Sequence, residues 1–377
     1  AAAGGNTQQQ QQENTAAAGW MAVMLAIIPQ FPPSLVQLLF RSIRPLLAAA
    51  ETSSVQKRAY SLLLALLQPN KDQQERDGDM SGSEQQHQNR TIIFQLESPL
   101  SMLQAVSEAL LTCHVSCRTM RFRCMECLLT SMNEQELDQS LVLVFKEILV
   151  CQKDANKKSR DGAVEILNFL IENIDAARLL PLMQEALMDT ANPVMRSSAV
   201  TGLCLLLLAH RQSDFVLQTT VNLLPQIGQL LVDDSSHQTK AVLSFLRVFV
   251  SVQDVDTIQS LLESIVVAFT QALGAHKAKF SARCRAIMRK LLHRVGEEAL
   301  RRVVPDSDVA LLDYICRHAR RTQRRKAQRD QESRRSRMLG SDSEDSSDDD
   351  GEHEDGNALM EIGAGVGGVG GDEAAGE

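Results

Sequence analysis

The chain has 377 residues, 44% of them hydrophobic but only 4% aromatic, with 10 prolines and a formal net charge of −8. Such a composition, led by Leu, Ala and Val, argues against a sheet protein and for stacked helices around a long core. No apolar run approaches the roughly 20 residues of a membrane span: Pro29 cuts Met21–Ile28 short, without a basic segment before it, and Ala199–Ala209 is too short. Neither a signal peptide nor a membrane segment is expected, and the expected location is intracellular.

Residues 1–19 (AAAGGNTQQQQQEN and the alanines that follow) are low-complexity and expected to be disordered. The chain opens on Ala1 rather than Met, as an internal piece of a longer protein would. Ser34–Ala50 and Ser53–Leu67 then read as a first pair of helices. Residues 68–91 have almost no apolar content and read as a flexible surface insert. Further pairs follow over Ser98–Thr112 and Arg118–Met132, Glu136–Cys151 and Ser159–Ile174, and Asp175–Asp189 and Pro193–His210. Two more cover Asp214–Val232 with Ser236–Val252, and Asp254–Leu273 with Ala278–Val295. Ser98-Pro99 and Asn192-Pro193 supply a capping side chain and a first-turn proline. Val164, Leu167, Leu170, Ile171 and Ile174 share one helical face, as do Ala199, Val200, Leu203, Leu206 and Leu207. A last helix is expected over Asp308–Arg317.

A basic residue returns near the start of the second helix of each pair: Arg58, Arg121, Arg160, Arg196, Lys240 and Arg283, at intervals of 63, 39, 36, 44 and 43 residues. The long first interval contains the polar insert, and around Arg283 Lys279 would serve nearly as well. Periods near forty residues with two helices each are the signature of a HEAT- or armadillo-type repeat array. The expected fold is therefore all-α: an α-solenoid of stacked antiparallel helix pairs over residues 20–316, with a disordered N-terminus and a charged C-terminal tail.

Four of the eight cysteines, Cys113, Cys117, Cys124 and Cys127, cluster with His114. Six residues separate the two pairs, where zinc ligand pairs usually stand about 12 or more apart, so core packing is the expected role and no metal is expected. The tail has two blocks of opposite sign. Residues 317–337 form a basic arm with ten Lys and Arg, and 338–377 an acidic, disordered tail with 13 Asp and Glu. Setting those 13 acids aside turns the net charge of −8 into +5. A mildly basic body with a basic arm suits a nucleic-acid or ribonucleoprotein partner. The glycines of GAGVGGVGG follow no strand and open no helix, so they are no nucleotide loop.

The order and spacing of VQKRAYSLLLALL (55–67), RFRCMECLL (121–129), EILVCQKDANKKSRDGAVEILNFL (147–170) and KFSARCRAIMRKLLHRVGEEALRRVVP (279–305) resemble the C-terminal part of the ribosomal-RNA-processing protein twelve family, HEAT-repeat proteins of small-subunit assembly. The likeness covers most of residues 35–330, departs at the 68–91 insert and the low-complexity ends, and lacks the family's N-terminal part. It implies a nuclear and nucleolar location. It also implies binding to pre-ribosomal RNA, small-subunit assembly factors and ribosomal proteins, with help in nuclear export. A karyopherin-like alternative, contact with the transport GTPase Ran and nucleoporins, is implied by the same likeness.

No P-loop, HExxH, GxSxG or dinucleotide fingerprint is present, so no enzymatic activity and no cofactor are expected. The expected RNA contacts are Lys157, Lys158, Arg160, Lys277, Lys279, Arg283, Arg285, Arg289 and Lys290. The repeat anchors among the basic residues can equally cap helices or pair with acids of a neighbouring repeat. Arg320, Arg321, Arg324, Arg325 and Lys326 have the density of a nuclear localisation signal. Ser341, Ser343, Ser346 and Ser347 sit in an acidic context that suits acid-directed kinases, and each phosphate would add about −1.5 to −2 charge.

Overall fold

Several helices in this chain begin where a short polar side chain closes the first turn. Ser98 Oγ accepts from Ser101 N at 3.2 Å, Asn156 Oδ1 from Lys158 N at 2.9 Å, and Asn192 Oδ1 from Met195 N at 3.1 Å. Asp254 Oδ1 accepts from Thr257 N at 2.8 Å, and Asn133 and Glu136 form a reciprocal capping box. Each such cap is worth about 1 kcal/mol.

A computed structural model of the chain describes residues 20, 21, 23–48, 53–68, 81–231 and 235–338. Side chains are not described at 81–88, 111, 271–279, 330 and 332–338. The described residues are all-α, with no strand among them. The segments expected to be disordered at residues 1–19 and in the acidic tail from 339 onward lie outside the described residues.

The chain divides into two compact units, Ala1–Ile174 and Asp175–Glu377. The first unit holds α1 (Pro33–Ile43), α2 (Ser53–Leu67), α3 (Ser81–Leu96), α4 (Pro99–Glu108), α5 (Arg118–Leu129), α6 (Glu134–Cys151) and α7 (Lys157–Asn173). Helices α2, α5 and α7 pack in succession, α4 packs on both α5 and α6, and α6 packs on α7. The second unit holds α8 (Ala176–Met188), α9 (Pro193–Ala209), α10 (Asp214–Gln229), α11 (Ser236–Val252), α12 (Val255–Ser260), α13 (Leu262–Val295), α14 (Glu297–Val303) and α15 (Val309–Met338). Here α9, α11 and α13 pack in succession, α8 and α10 flank α9, and α12, α14 and α15 lie on α13. In both units a helix thus meets the next helix but one in sequence as well as its neighbour.

The apolar faces read from the sequence are the buried ones. Leu167 and Leu170 on α7, and Ala199, Val200, Leu203, Leu206 and Leu207 on α9, are fully buried. Buried amides tie the connections to the helices. Gln56 Nε2 donates to the carbonyls of Leu47 and Thr112 at 3.0 and 3.1 Å, while its Oε1 accepts from His114 N at 2.9 Å. Gln253 Nε2 reaches Leu217 O and Thr220 Oγ1 in the same way, at 3.0 and 3.3 Å.

Three expectations need correction. The insert at 68–91 does not run as an irregular loop to its end, because α3 starts at Ser81; residues 69–80 lie outside the described residues. Ile93 is fully buried and the Asn89 side chain donates to Ile28 O at 3.2 Å, so the end of this polar stretch is recruited by tertiary contacts. The expected break between Leu273 and Ala278 is absent, since α13 runs unbroken for 34 residues. Gly274 alone opposes the helix there, at about 1 kcal/mol relative to Ala. The last helix does not stop at Arg317 but continues through the basic arm to Met338.

Replacing fully buried Leu167 by Ala is expected to lower stability by about 2–5 kcal/mol in urea denaturation. Leu38 on α1, 61% exposed, should change stability by no more than about 0.5 kcal/mol on the same substitution. Equal effects at the two positions would show that the face carrying Leu167 is not core.

Candidate nucleic-acid interface

A guanidinium carries five N–H donors in a rigid fork, which suits either phosphate or the unsatisfied carbonyls at a helix end. Four of the anchors, Arg121, Arg160, Arg196 and Arg283, donate within the protein. Arg121 is fully buried; its Nε and Nη2 donate to Val106 O near the C-terminus of α4, at 3.0 and 2.9 Å. Its Nη1 pairs with Glu147 of α6, itself 5% exposed at the side chain. Burial pulls the Arg121 pKa down and pushes that of the nearby Tyr60 phenol up. Arg160 Nη1 donates to the carbonyls of Asp154 and Ala155, at 2.8 and 2.9 Å. The Asp154 carboxylate takes Arg118 Nη1 at 2.5 Å, so two successive helices of the first unit are fastened to one loop residue. In the second unit Arg196 Nε donates to Leu187 O at 3.1 Å, Arg283 Nη1 to Ser244 Oγ at 3.0 Å, and Arg294 to Gln253 O.

Arg160 and Arg283, both expected RNA contacts, are therefore tied to the protein's own framework. Lys157 and Lys158 differ: they stand exposed in the first turn of α7. The side chains of Lys277 and Lys279 lie outside the described residues. Lys290 is half-buried on α13.

Arg285 and Arg289 are brought together with residues the sequence did not single out. Gly296 ends α13 with φ 85° and ψ 167°, a conformation essentially reserved for glycine. The chain turns there into α14, and α15 packs back on α13. Between α13 and α15 lies a cleft of about 280 Å³ lined by Ala282, Arg285, Arg289, Tyr314, Ile315 and His318. The rings of Tyr314 and His318 are 6.3 Å apart between centroids, and Tyr314 is 50% exposed.

The other side of α15 is occupied by an ion-pair network. Arg301 bridges Glu297 and Asp313 at 2.9 and 2.6 Å, and Arg320 takes Glu297 at 2.7 Å. The hydrogen bond from Arg301 is the first cause holding the Glu297 carboxyl below its ordinary range. Arg320, expected in the localisation cluster, thus has a partner on α14, while Arg321, Arg324, Arg325 and Lys326 are exposed along the helix. The four serines of the acidic tail lie outside the described residues.

The cysteine group packs between α2 and α5. Cys124 Sγ donates to Tyr60 O at 3.4 Å, and Cys117 Sγ contacts Ser53 O at 3.6 Å. Burial pushes the Cys127 thiol up to about 11.

Tyr314 and His318 could have been noticed as an i, i+4 aromatic pair just before the basic run. Their partner on α13 could not, because the turn at Gly296 decides which faces meet.

Glu147→Ala leaves a buried guanidinium without its counter-ion and is expected to cost about 3–5 kcal/mol. The double variant Arg121→Met with Glu147→Leu should recover part of that loss, leaving about 1–3 kcal/mol for the stranded Val106 carbonyl. Thermal and urea unfolding of the variants measure both. No protein-family model matches the chain, and no curated protein matches it either.

Proposed function

We propose that the chain is a HEAT/armadillo-type α-solenoid acting as a non-enzymatic scaffold of ribosome assembly in the nucleus and nucleolus. It holds pre-ribosomal RNA together with small-subunit assembly factors and ribosomal proteins, through rRNA processing and export. The repeat reading is supported by the packing of helices on their next-but-one neighbours in each unit and by the forty-residue return of a basic residue. The RNA reading is carried by one observation above the rest. Cations gather at the end of the second unit, where the half-buried Arg285 and Arg289 line a cleft and α15 continues as an exposed basic helix.

Contacts of this kind are largely to phosphate, so affinity should be tolerant of sequence and fall steeply with salt. Anisotropy titrations of the full chain on a structured pre-rRNA fragment, at several salt concentrations, test it. Neutralising Arg321, Arg325 and Arg329 together is expected to weaken binding and reduce the salt slope by about 3 on a logarithmic scale. Arg196→Ala should lose stability and leave the slope unchanged, since Arg196 holds Leu187 O. If the full chain binds no RNA at low salt, the reading is wrong.

The acidic tail would compete with RNA for the basic helix beside it. Removing residues 340–377, or changing Ser341, Ser343, Ser346 and Ser347 to Ala in the phosphorylated protein, should tighten RNA binding at matched salt. A reporter fused to residues 317–337 should enter the nucleus; cytoplasmic retention would remove the localisation role.

A further inference from the structure

We propose that the cleft between α13 and α15 takes a single unstacked nucleotide, so that the chain prefers single-stranded or looped RNA to duplex. This rests on the RNA reading above and assigns it a specific site. The base stacks on Tyr314 beside His318, and its phosphate lies against Arg285 and Arg289.

Four observations converge on this. The cleft holds about 280 Å³, room for one base and its phosphate but not for a duplex. Arg285 and Arg289 stand one turn apart on α13 and face the same opening. Each guanidinium has five donors, so one engaged elsewhere can still bind an oxyanion. Tyr314 is half in water although its neighbour Ile315 is buried, which leaves an aromatic face at the mouth of a cationic cleft. Finally, the Asp313 and Glu297 carboxylates are paired with Arg301 and Arg320 on the opposite side of α15, while Asp308, just before α15, is buried, bonded by Ser307 Oγ at 3.0 Å and close enough to act on Cys284 beside Arg285.

The chemistry separates a nucleotide from other anions. An acidic or phosphoserine peptide without aromatic or arginine residues would satisfy Arg285 and Arg289 but give the Tyr314 and His318 rings nothing to stack against. A nucleotide supplies both a π-face and a phosphate, and base–aromatic stacking tolerates any sequence. Duplex RNA hides its base faces and offers phosphate and 2′-hydroxyl groups alone.

The helix also extends the site. By helical spacing Arg321, Arg325 and Arg329 fall on the stripe of Tyr314 and His318, and all three are exposed. They stand about 6 Å apart along the axis, a step comparable to that between phosphates of an extended strand. A strand anchored by one base in the cleft would run along this stripe.

The test uses the full chain with a single-stranded oligoribonucleotide and a duplex of the same length, at matched salt. Tyr314→Ala is expected to weaken single-strand binding about 5- to 100-fold and leave duplex binding within about twofold, with Tyr314→Phe near wild type. Tyr314 lies at the surface, so the variant should keep its far-ultraviolet circular dichroism and melting temperature. If the wild-type chain binds single strand and duplex alike and Tyr314→Ala changes neither, the cleft proposal is overturned and the RNA reading stands. Equal losses on both ligands overturn stacking too. A phosphoserine peptide that competes for the cleft as well against Tyr314→Ala as against wild type would assign the site to a protein segment. Absence of binding to either RNA removes the RNA reading itself.

Discussion

Every α-helix ends with carbonyls that its own backbone cannot satisfy, and this fold meets that constraint with arginines sent from neighbouring segments. Arg121 closes the carbonyl of Val106, Arg196 that of Leu187, and Arg294 that of Gln253. A hydrogen bond with a charged partner contributes about 1.5–3 kcal/mol, roughly twice a neutral one. Two of the six regularly spaced anchors, Arg121 and Arg196, serve this purpose, while Arg283 of the same series donates to the Ser244 hydroxyl instead. At Arg121 the demand is strictest. There the guanidinium is wholly inside, so Glu147 must neutralise it and α4, α5 and α6 are fixed together by one side chain.

The framework draws on particular cations, of which Arg121 is wholly buried and so out of reach of any phosphate. Other cations stand toward solvent: Lys157 and Lys158 in the first turn of α7, and Arg321, Arg324, Arg325 and Lys326 along α15, with Arg285 and Arg289 half-buried in the α13–α15 cleft. Gly296 is the hinge of that arrangement. A side chain at φ 85° and ψ 167° would be strained, and a continued helix would carry α15 away from Arg285 and Arg289.

Most of the helices were legible because their signals are local. Ser98-Pro99 and Asn192-Pro193 mark starts, and the apolar stripe on α7 predicts its buried face, whereas α9 is buried on every side from Ser197 to Leu207. The departures all involve stretches where local signal is weak. Residues 81–91 have no apolar stripe of their own, and it is the contacts made by Asn89 and Ile93 that bring the segment into the core. Between Leu273 and Ala278 a repeat period suggested a break, but nothing short of Gly274 could make one. At the site, the charge of Arg285 and Arg289 was visible and the cleft was not, since it depends on long-range packing of α15 on α13. The same holds for Arg160 and Arg283, whose partners Asp154 and Ser244 identify them as framework only once the helices are stacked.

The basic end of α15 shows where the fold's own interactions run out. From Arg320 to Arg329 the side chains are exposed, so no buried face stabilises this part of the helix. Its residues are good helix formers, yet Arg317 and Arg321, Arg321 and Arg325, and Arg325 and Arg329 place like charges four apart, each pair opposing the helix by about 0.2–0.5 kcal/mol. An anionic strand along the stripe removes that repulsion, and whatever binds the helical form stabilises it by the same linkage. The cleft and the stripe then act on one element. In the proposed complex a base seated against Tyr314 would fix the start of α15, and phosphates along Arg321, Arg325 and Arg329 would relieve the part that nothing in the core supports.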